Sequence, residues 1–152
     1  MIMFKAPEFY PIMLNRMVFL AGSIEMGVAE QWQERLAKML DDTNYFILNP
    51  RRDDWDSSWV QSIDNHQFKE QVNWELNGLE KSDIIVFYFD PNTKSPITLM
   101  ELGYSCGLNA TKVVCCPEGF WRKGNVDILC QRNNIATVNS LEEVAEFVKN
   151  LK

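Results

Sequence analysis

Short apolar runs at β spacing alternate along this chain with longer segments whose apolar positions recur every three or four residues. Residues 17–21 form an unbroken apolar run that ends at Gly22, and Val28, Trp32, Leu36, Met39 and Leu40 follow at helical spacing. Residues 45–48 read as a second strand, closed by Asn49-Pro50. The stretch 51–65 is polar and carries Trp55 and Trp59, which predicts a loop over the sheet edge. Phe68, Val72, Leu76 and Leu79 mark the next helix, and Ser82-Asp83 leads into the strand 84–89. That strand is apolar on both faces, as a central parallel strand requires. A helix from about 99 to 108, a strand at 112–116, a short helix near 125–130 and a strand at 135–138 complete the alternation. Ser140, with Glu143 three residues on, then caps a final helix whose apolar face is Leu141, Val144, Phe147, Val148 and Leu151.

Strands alternating with helices predict an α/β fold: a flavodoxin-like or Rossmann-like five-stranded parallel sheet with helices on both faces. The expectation is one domain over residues 1–152, with its core at about 17–150 and an N-terminal extension at 1–16. In such sheets ligands bind beyond the carboxyl ends of the strands. The loops that begin at Gly22, Asn49, Asp90 and Pro117 are therefore where chemistry is expected.

Composition narrows the chemistry. With 46% apolar and 24% charged residues the chain is globular. A net charge of −6 argues against a nucleic-acid partner held by phosphate neutralisation. No apolar run approaches the length of a membrane span, and no signal peptide is visible. Cys106, Cys115, Cys116 and Cys130 show no metal-type spacing and sit in apolar or uncharged stretches. They read as small buried hydrophobes of a reducing compartment, which predicts a cytoplasmic protein without a disulfide or zinc site. The single histidine, His66, lies in a polar stretch and reads as solvated, so a Ser-His-Asp triad is a poor expectation too. Carboxylates are what remain, and no metal or organic cofactor is expected.

Between Pro96 and Ala110, Glu101 is the only charge. Placed near the start of the helix after the central strand, it would be kept ionised by the helix dipole, the state a carboxylate nucleophile needs. Thr98-x-x-Glu101 also fits a capping box, which would make Glu101 a cap and the chain a non-catalytic nucleotide-binding sensor. Glu75 falls at or beside the apolar face of its helix, where a carboxylate must be paired, reach solvent or line a polar cavity. Asp83 lies at the amino end of the central strand and reads as a turn residue, whereas Asp90 lies at the ligand end. Gly22 and Ser23 open a strand–helix turn that could present backbone N–H groups to a ligand. Arg51 and Arg52 read as internal partners of Asp53, Asp54 and Asp56, and Trp55 as a stacking platform or an edge-of-core residue.

Gly22-Ser-Ile-Glu25, the segment from Glu75 to Asp83, the segment from Ser95 to Tyr104, and Gly124-Asn-Val-Asp127 occur in that order. Together they resemble the nucleoside 2-deoxyribosyltransferases and the related 2′-deoxynucleoside 5′-monophosphate N-glycosidases, over roughly residues 17–150. Met-Glu-Leu-Gly-Tyr around Glu101 is the most specific piece. The resemblance implies that Glu101 is the nucleophile that attacks C1′ of the deoxyribose. It implies that Glu75, at a position usually held by aspartate, helps hold the sugar and the reacting base. Asn125 would reach a neighbouring subunit's site near the 5′ end of the sugar, and Asp127 falls where relatives often carry methionine. Ser95 stands where the transferases carry an aspartate and the hydrolases a serine that touches phosphate, leaving Asp90 or Glu75 as the candidate general acid. Glu25 stands where the hydrolases carry arginine, and its charge would repel a phosphate. The expected partners are thus 2′-deoxynucleosides and free nucleobases, handled by a homo-oligomer, a dimer or larger, with shared sites. Transfer is the expected reaction. Hydrolysis of a 2′-deoxynucleoside or its monophosphate is the alternative.

Overall fold

The computed structural model describes residues 1–11, 15–24 and 29–151. Along them run strand β1 (Ile2–Lys5), strand β2 (Met17–Gly22), helix α1 (Trp32–Met39), strand β3 (Phe46–Asn49) and helix α2 (His66–Lys81). Strand β4 (Ile84–Tyr88), helix α3 (Pro96–Ser105), strand β5 (Thr111–Cys115), helix α4 (Lys123–Arg132), strand β6 (Ala136–Val138) and helix α5 (Leu141–Lys149) follow. The strands pair in parallel throughout, in the order β1-β3-β2-β4-β5-β6.

The sheet thus has six strands rather than the expected five. The additional one, β1, comes from the stretch read as an N-terminal extension and lies along β3, with Ile2 opposite Phe46 and Lys5 opposite Asn49. Its residues Ile2, Met3 and Phe4 are apolar, but the run is short and lies at the sheet edge with Ile2 half exposed, and no helical segment separates it from β2 as the strand–helix alternation would require.

The central strands are buried on both faces. Phe19 and Ala21 of β2 and Ile85 and Phe87 of β4 face Trp74 and Leu79 of α2, Leu102 of α3 and Val126 of α4. Val18, Leu20, Ile84 and Val86, on the opposite face, meet Trp32 and Leu36 of α1 and Leu141, Val144 and Val148 of α5. Each fully buried side chain of this size contributes roughly 1.5–3 kcal/mol relative to exposure, which holds the three layers together. Asp83 receives the Met17 amide on its carboxylate at 2.8 Å and so ties the amino ends of β2 and β4. Asn65 caps α2 by accepting from the Phe68 amide at 2.9 Å, and Ser140 caps α5 by accepting from Glu143 at 3.2 Å.

Two helix starts differ from expectation. Val28 lies outside the described residues, and α1 begins at Trp32 behind Gln31, which makes no side-chain cap. Helix α3 begins at Pro96 instead of about 99, because Ser95 takes a left-handed conformation (φ 46°) as N-cap and Pro96 supplies the preset φ of a first helical residue. Among the described residues no helix is long and apolar enough to cross a membrane.

Candidate functional site

The chain leaves β2 towards β3 on one side and then crosses to β4 on the other, so the winding reverses between β2 and β4. A crevice opens at the carboxyl ends of strands at such a point. Gly22 can stand there only as glycine: a Cβ would lie 2.5 Å from the Trp32 ring and 2.6 Å from the Tyr88 carbonyl oxygen. Ser23, next in the chain, is buried and gathers the loop after β4. Its Oγ lies 2.5 Å from Ser95 Oγ and 2.9 Å from Thr93 Oγ1, and it accepts from the Asp90 amide at 2.9 Å. Thr93 Oγ1 also lies 2.8 Å from Ser95 Oγ. The Trp32 indole N–H donates to the Ser23 carbonyl at 3.0 Å. Three hydroxyls therefore fasten the β2 end to the segment that starts α3.

Asp90 is almost fully buried and spends its carboxylate on that loop. Oδ1 accepts from the backbone and side-chain nitrogens of Asn92 at 2.9 and 3.1 Å, and Oδ2 accepts from the Glu30 amide at 3.4 Å. A carboxylate held by several donors braces a turn.

Glu101 lies in the second turn of α3, on the face it shares with Thr98, Leu102 and Ser105, and is 6% exposed. Ser95 holds the N-cap position, so the Thr98–Glu101 spacing does not form a capping box. Burial pushes the Glu101 carboxyl well above the usual carboxylate range, and the negative charge of Glu75 adds to this. This corrects the expectation of an ion stabilised by the helix dipole. That effect is worth about 0.3–1 kcal/mol and fades within the first turn, whereas dehydrating a carboxylate costs several kcal/mol.

Glu75 is partly buried on the face of α2 that also carries Gln71, Trp74 and Gly78. Its pKa is pushed up to about 7 by burial, against which a hydrogen bond from Gln71 works. Among the described residues no cation pairs with Glu75 or Glu101, and the charge of Glu75 on α2 acts on Glu101 of α3, so both carboxyl groups favour holding a proton.

The remaining expected site residues are spread out. Trp55 stacks edge-on against Trp59, with ring centroids 5.1 Å apart, in the loop after β3. Arg52 pairs with Asp54 at 2.8 Å, but Asp53 turns to Lys5 at 3.1 Å. Asn125 lines a groove of about 320 Å³ between α3 and α4 with Leu99, Leu102, Arg122, Val126 and Leu129. Asp127 faces the other side of α4, where it pairs with Lys123 at 3.0 Å and lines a cavity of about 370 Å³ with Cys116, Gln131 and Thr137. Neither space is lined by Glu75 or Glu101. Glu25 lies outside the described residues. Gln71 and Thr93 were not singled out from the sequence. Gln71 stands one helical turn before Glu75, a spacing that could have drawn attention to it. Thr93 touches Ser23 only through the fold. Among the described residues no group of three or more His, Cys, Asp or Glu side chains could hold a metal ion.

Comparisons with known proteins bear on this arrangement. No curated protein matches the sequence with significance. Among solved structures, a conserved protein from Enterococcus faecalis V583 shares the fold, with a TM-score of 0.58 at 14% identity over 89% of this chain and 98% of that one. A family model described as "Nucleoside 2-deoxyribosyltransferase like" matches residues 15–120, which include Ser23, Glu75, Asp90, Ser95 and Glu101. On that match, over more than two-thirds of its length, the chain belongs to the nucleoside 2-deoxyribosyltransferase-like family.

Proposed function

We propose that the protein is a nucleoside 2-deoxyribosyltransferase that moves 2-deoxyribose from one nucleobase to another through an ester with Glu101. The observation that carries this is the Glu75–Glu101 pair: carboxyl groups from different helices, one buried and one partly buried, with no cation paired to either among the described residues and both with raised proton affinity. A structural carboxylate in this setting would be paired or replaced by an apolar residue. A nucleophile that must be bare and an acid that must be protonated need such a pair.

In the first half-reaction the Glu101 proton passes to Glu75, and the Glu101 carboxylate attacks C1′ from the face opposite the base. The C1′–N bond breaks, its electron pair leaves with the base, and Glu75 returns the proton to the ring nitrogen. In the second, an acceptor base gives its ring proton to Glu75 and attacks C1′ from the face the first base left. The C1′–O bond to Glu101 breaks, and the β configuration is restored. Gly22, Ser23 and Ser95 form the wall of the sugar site, Asp90 holds that wall in shape, and Trp55 supplies a face for the base. The substrate is an unphosphorylated 2′-deoxynucleoside, in keeping with the charge of Glu25 and the net charge of −6.

The active form is a homo-oligomer. Ile97, Met100 and Tyr104 stand 56%, 56% and 44% exposed along one face of α3, Ile128 of α4 is 67% exposed, and a second copy of this chain would cover them. Asn125, in the groove between these helices, and Asp127 behind it would then belong to the region where sites are shared. The protein works in the cytoplasm, in nucleoside salvage.

The experiment is an incubation with thymidine and adenine, with products separated by chromatography. Deoxyadenosine should accumulate, and Glu101→Ala should abolish it; undiminished exchange by that variant overturns the assignment. Hydrolysis is the second possibility, favoured by the hydroxyl of Ser95 at a position where transferases carry an acid. Free deoxyribose, or its 5-phosphate from a monophosphate, released at the same rate with and without an acceptor base, would establish it instead. Nucleoside binding with no product of either kind would leave a sensor.

A further inference from the structure

Glu75 is held by a side chain with an unusual hydrogen-bond account. Gln71 is 4% exposed, one turn before Glu75 in α2. Its amide nitrogen carries two protons and commits both, one to the Pro50 carbonyl oxygen at 2.8 Å and one to Glu75 Oε1 at 2.7 Å. Its amide oxygen is buried with no hydrogen-bond partner among the described residues. Leaving such an acceptor unpaired carries a desolvation penalty that an apolar side chain of the same length would avoid. Rotating the amide by half a turn brings no relief. It would set the amide oxygen against the Pro50 carbonyl oxygen, acceptor against acceptor, and leave the nitrogen where no described residue accepts from it. The Pro50 carbonyl, at the end of β3, thereby locks Gln71 as a donor towards Glu75. Glu101 of α3 is the titratable group that acts on this carboxyl from the neighbouring element.

We propose that Gln71 is a positioning residue that acts through Glu75: by donating and never accepting, it keeps Glu75 Oε1 bare and leaves Oε2 as the oxygen that takes and returns the transferred proton. This rests on the reaction proposed above for its purpose, but the arrangement itself can be read without turnover. A protein labelled with ¹³C at the glutamate Cδ is titrated by NMR in the absence of ligand. The wild type should show one glutamate carboxyl titrating at about 7, assigned by its disappearance in Glu75→Gln. Gln71→Met keeps the length and removes the donor. It should move that titration upward by about 1–2 units, the worth of one hydrogen bond to a charged group. The acidic limb of kcat/KM should move with it, while KM at the new optimum stays within about threefold. Gln71→Asn keeps the amide but withdraws it by a methylene, and should shift the titration in the same direction if Gln71→Met does not fold. An unmoved Glu75 titration in both variants overturns the positioning role and leaves the reaction standing. A moved titration in a protein that exchanges no base overturns the reaction and leaves the hold on Glu75 standing.

Discussion

Glu101 sits on the inward face of its helix, beside Thr98, Leu102 and Ser105, and is the only charged residue of α3. Removing water from a carboxylate there raises its proton affinity, and the facing Glu75 raises it further. Glu101→Gln keeps the volume and removes the ionisation. It should cost on the order of 10³-fold or more in kcat. It should also melt higher than the wild type at pH 8, because no buried charge has to form; differential scanning calorimetry reads this directly. A lower melting point at that pH would show that Glu101 is a structural anion. At Gly22 the constraint is steric. A methyl group would meet the Trp32 ring and the Tyr88 carbonyl oxygen, and only the ring could yield. Gly22→Ala should destabilise by about 1–3 kcal/mol, measured by urea unfolding with an unchanged slope. Gly78 is a parallel case, since a Cβ there would come within 2.6 Å of the Phe19 ring and push α2 off β2, taking Glu75 with it.

Helices α2 and α3 carry the two carboxyl groups, so what fixes their starts and faces fixes the site. Asn65 accepts from the third amide of α2, and Asn65→Ala should cost about 1 kcal/mol, seen as a fall of roughly 2–4 °C in Tm. A loss confined to stability, with the residual activity per folded molecule unchanged, is the expected signature. The amphipathic stripe of α2 already pointed to Glu75 at the edge of the buried face. For α3 no such stripe exists: Pro96, Ile97, Leu99, Met100 and Leu102 are apolar almost all round. Helical periodicity therefore could not say which side faces the sheet, and the expected start was three residues late. Ser95 decides the start by adopting a left-handed backbone that its neighbours Thr93 and Ser23 hold through their hydroxyls. Those partners are 70 residues apart in the chain, and no local pattern links them.

For the molecule as a whole, the proton held by the carboxyl pair ties stability to pH. Glu75 has an ordinary pKa of 4.5 when unfolded and about 7 when folded. Between those values the folded protein binds the extra proton, so the stabilisation is fully present below about 4.5 and is lost as pH rises through 7. The whole effect is on the order of 3 kcal/mol for a fully buried group and less for one that is partly exposed. Tm should fall between pH 5 and 8 with a slope that Glu75→Gln makes shallower; an equal slope in that variant would place the proton elsewhere. The apolar face of α3 and the exposed Ile128 make a second expectation at this scale. Mass photometry over a dilution series should show activity per mole falling together with the oligomer. Activity that persists in a homogeneous monomer would remove the shared-site arrangement.

The layered parallel sheet could be read along the chain because each central strand is apolar on both faces and each helix between them repeats at its own period. Those signals are local and survive without knowledge of the neighbours. Glu101, alone among apolar residues, could be singled out for the same reason, and Glu75 by its place on α2. Four features were beyond such reading. Strand β1 exists only because β3 offers it an edge. The protonation of Glu101 follows from a burial that an all-round apolar helix does not reveal. The clasp of Ser23, Thr93 and Ser95, and the hold of Pro50 on Gln71, join residues distant in the chain. Periodicity records which side of one element is dry. Which charges and hydroxyls meet in that dryness depends on how the elements are stacked, and stacking sets the proton affinities on which the proposed chemistry turns.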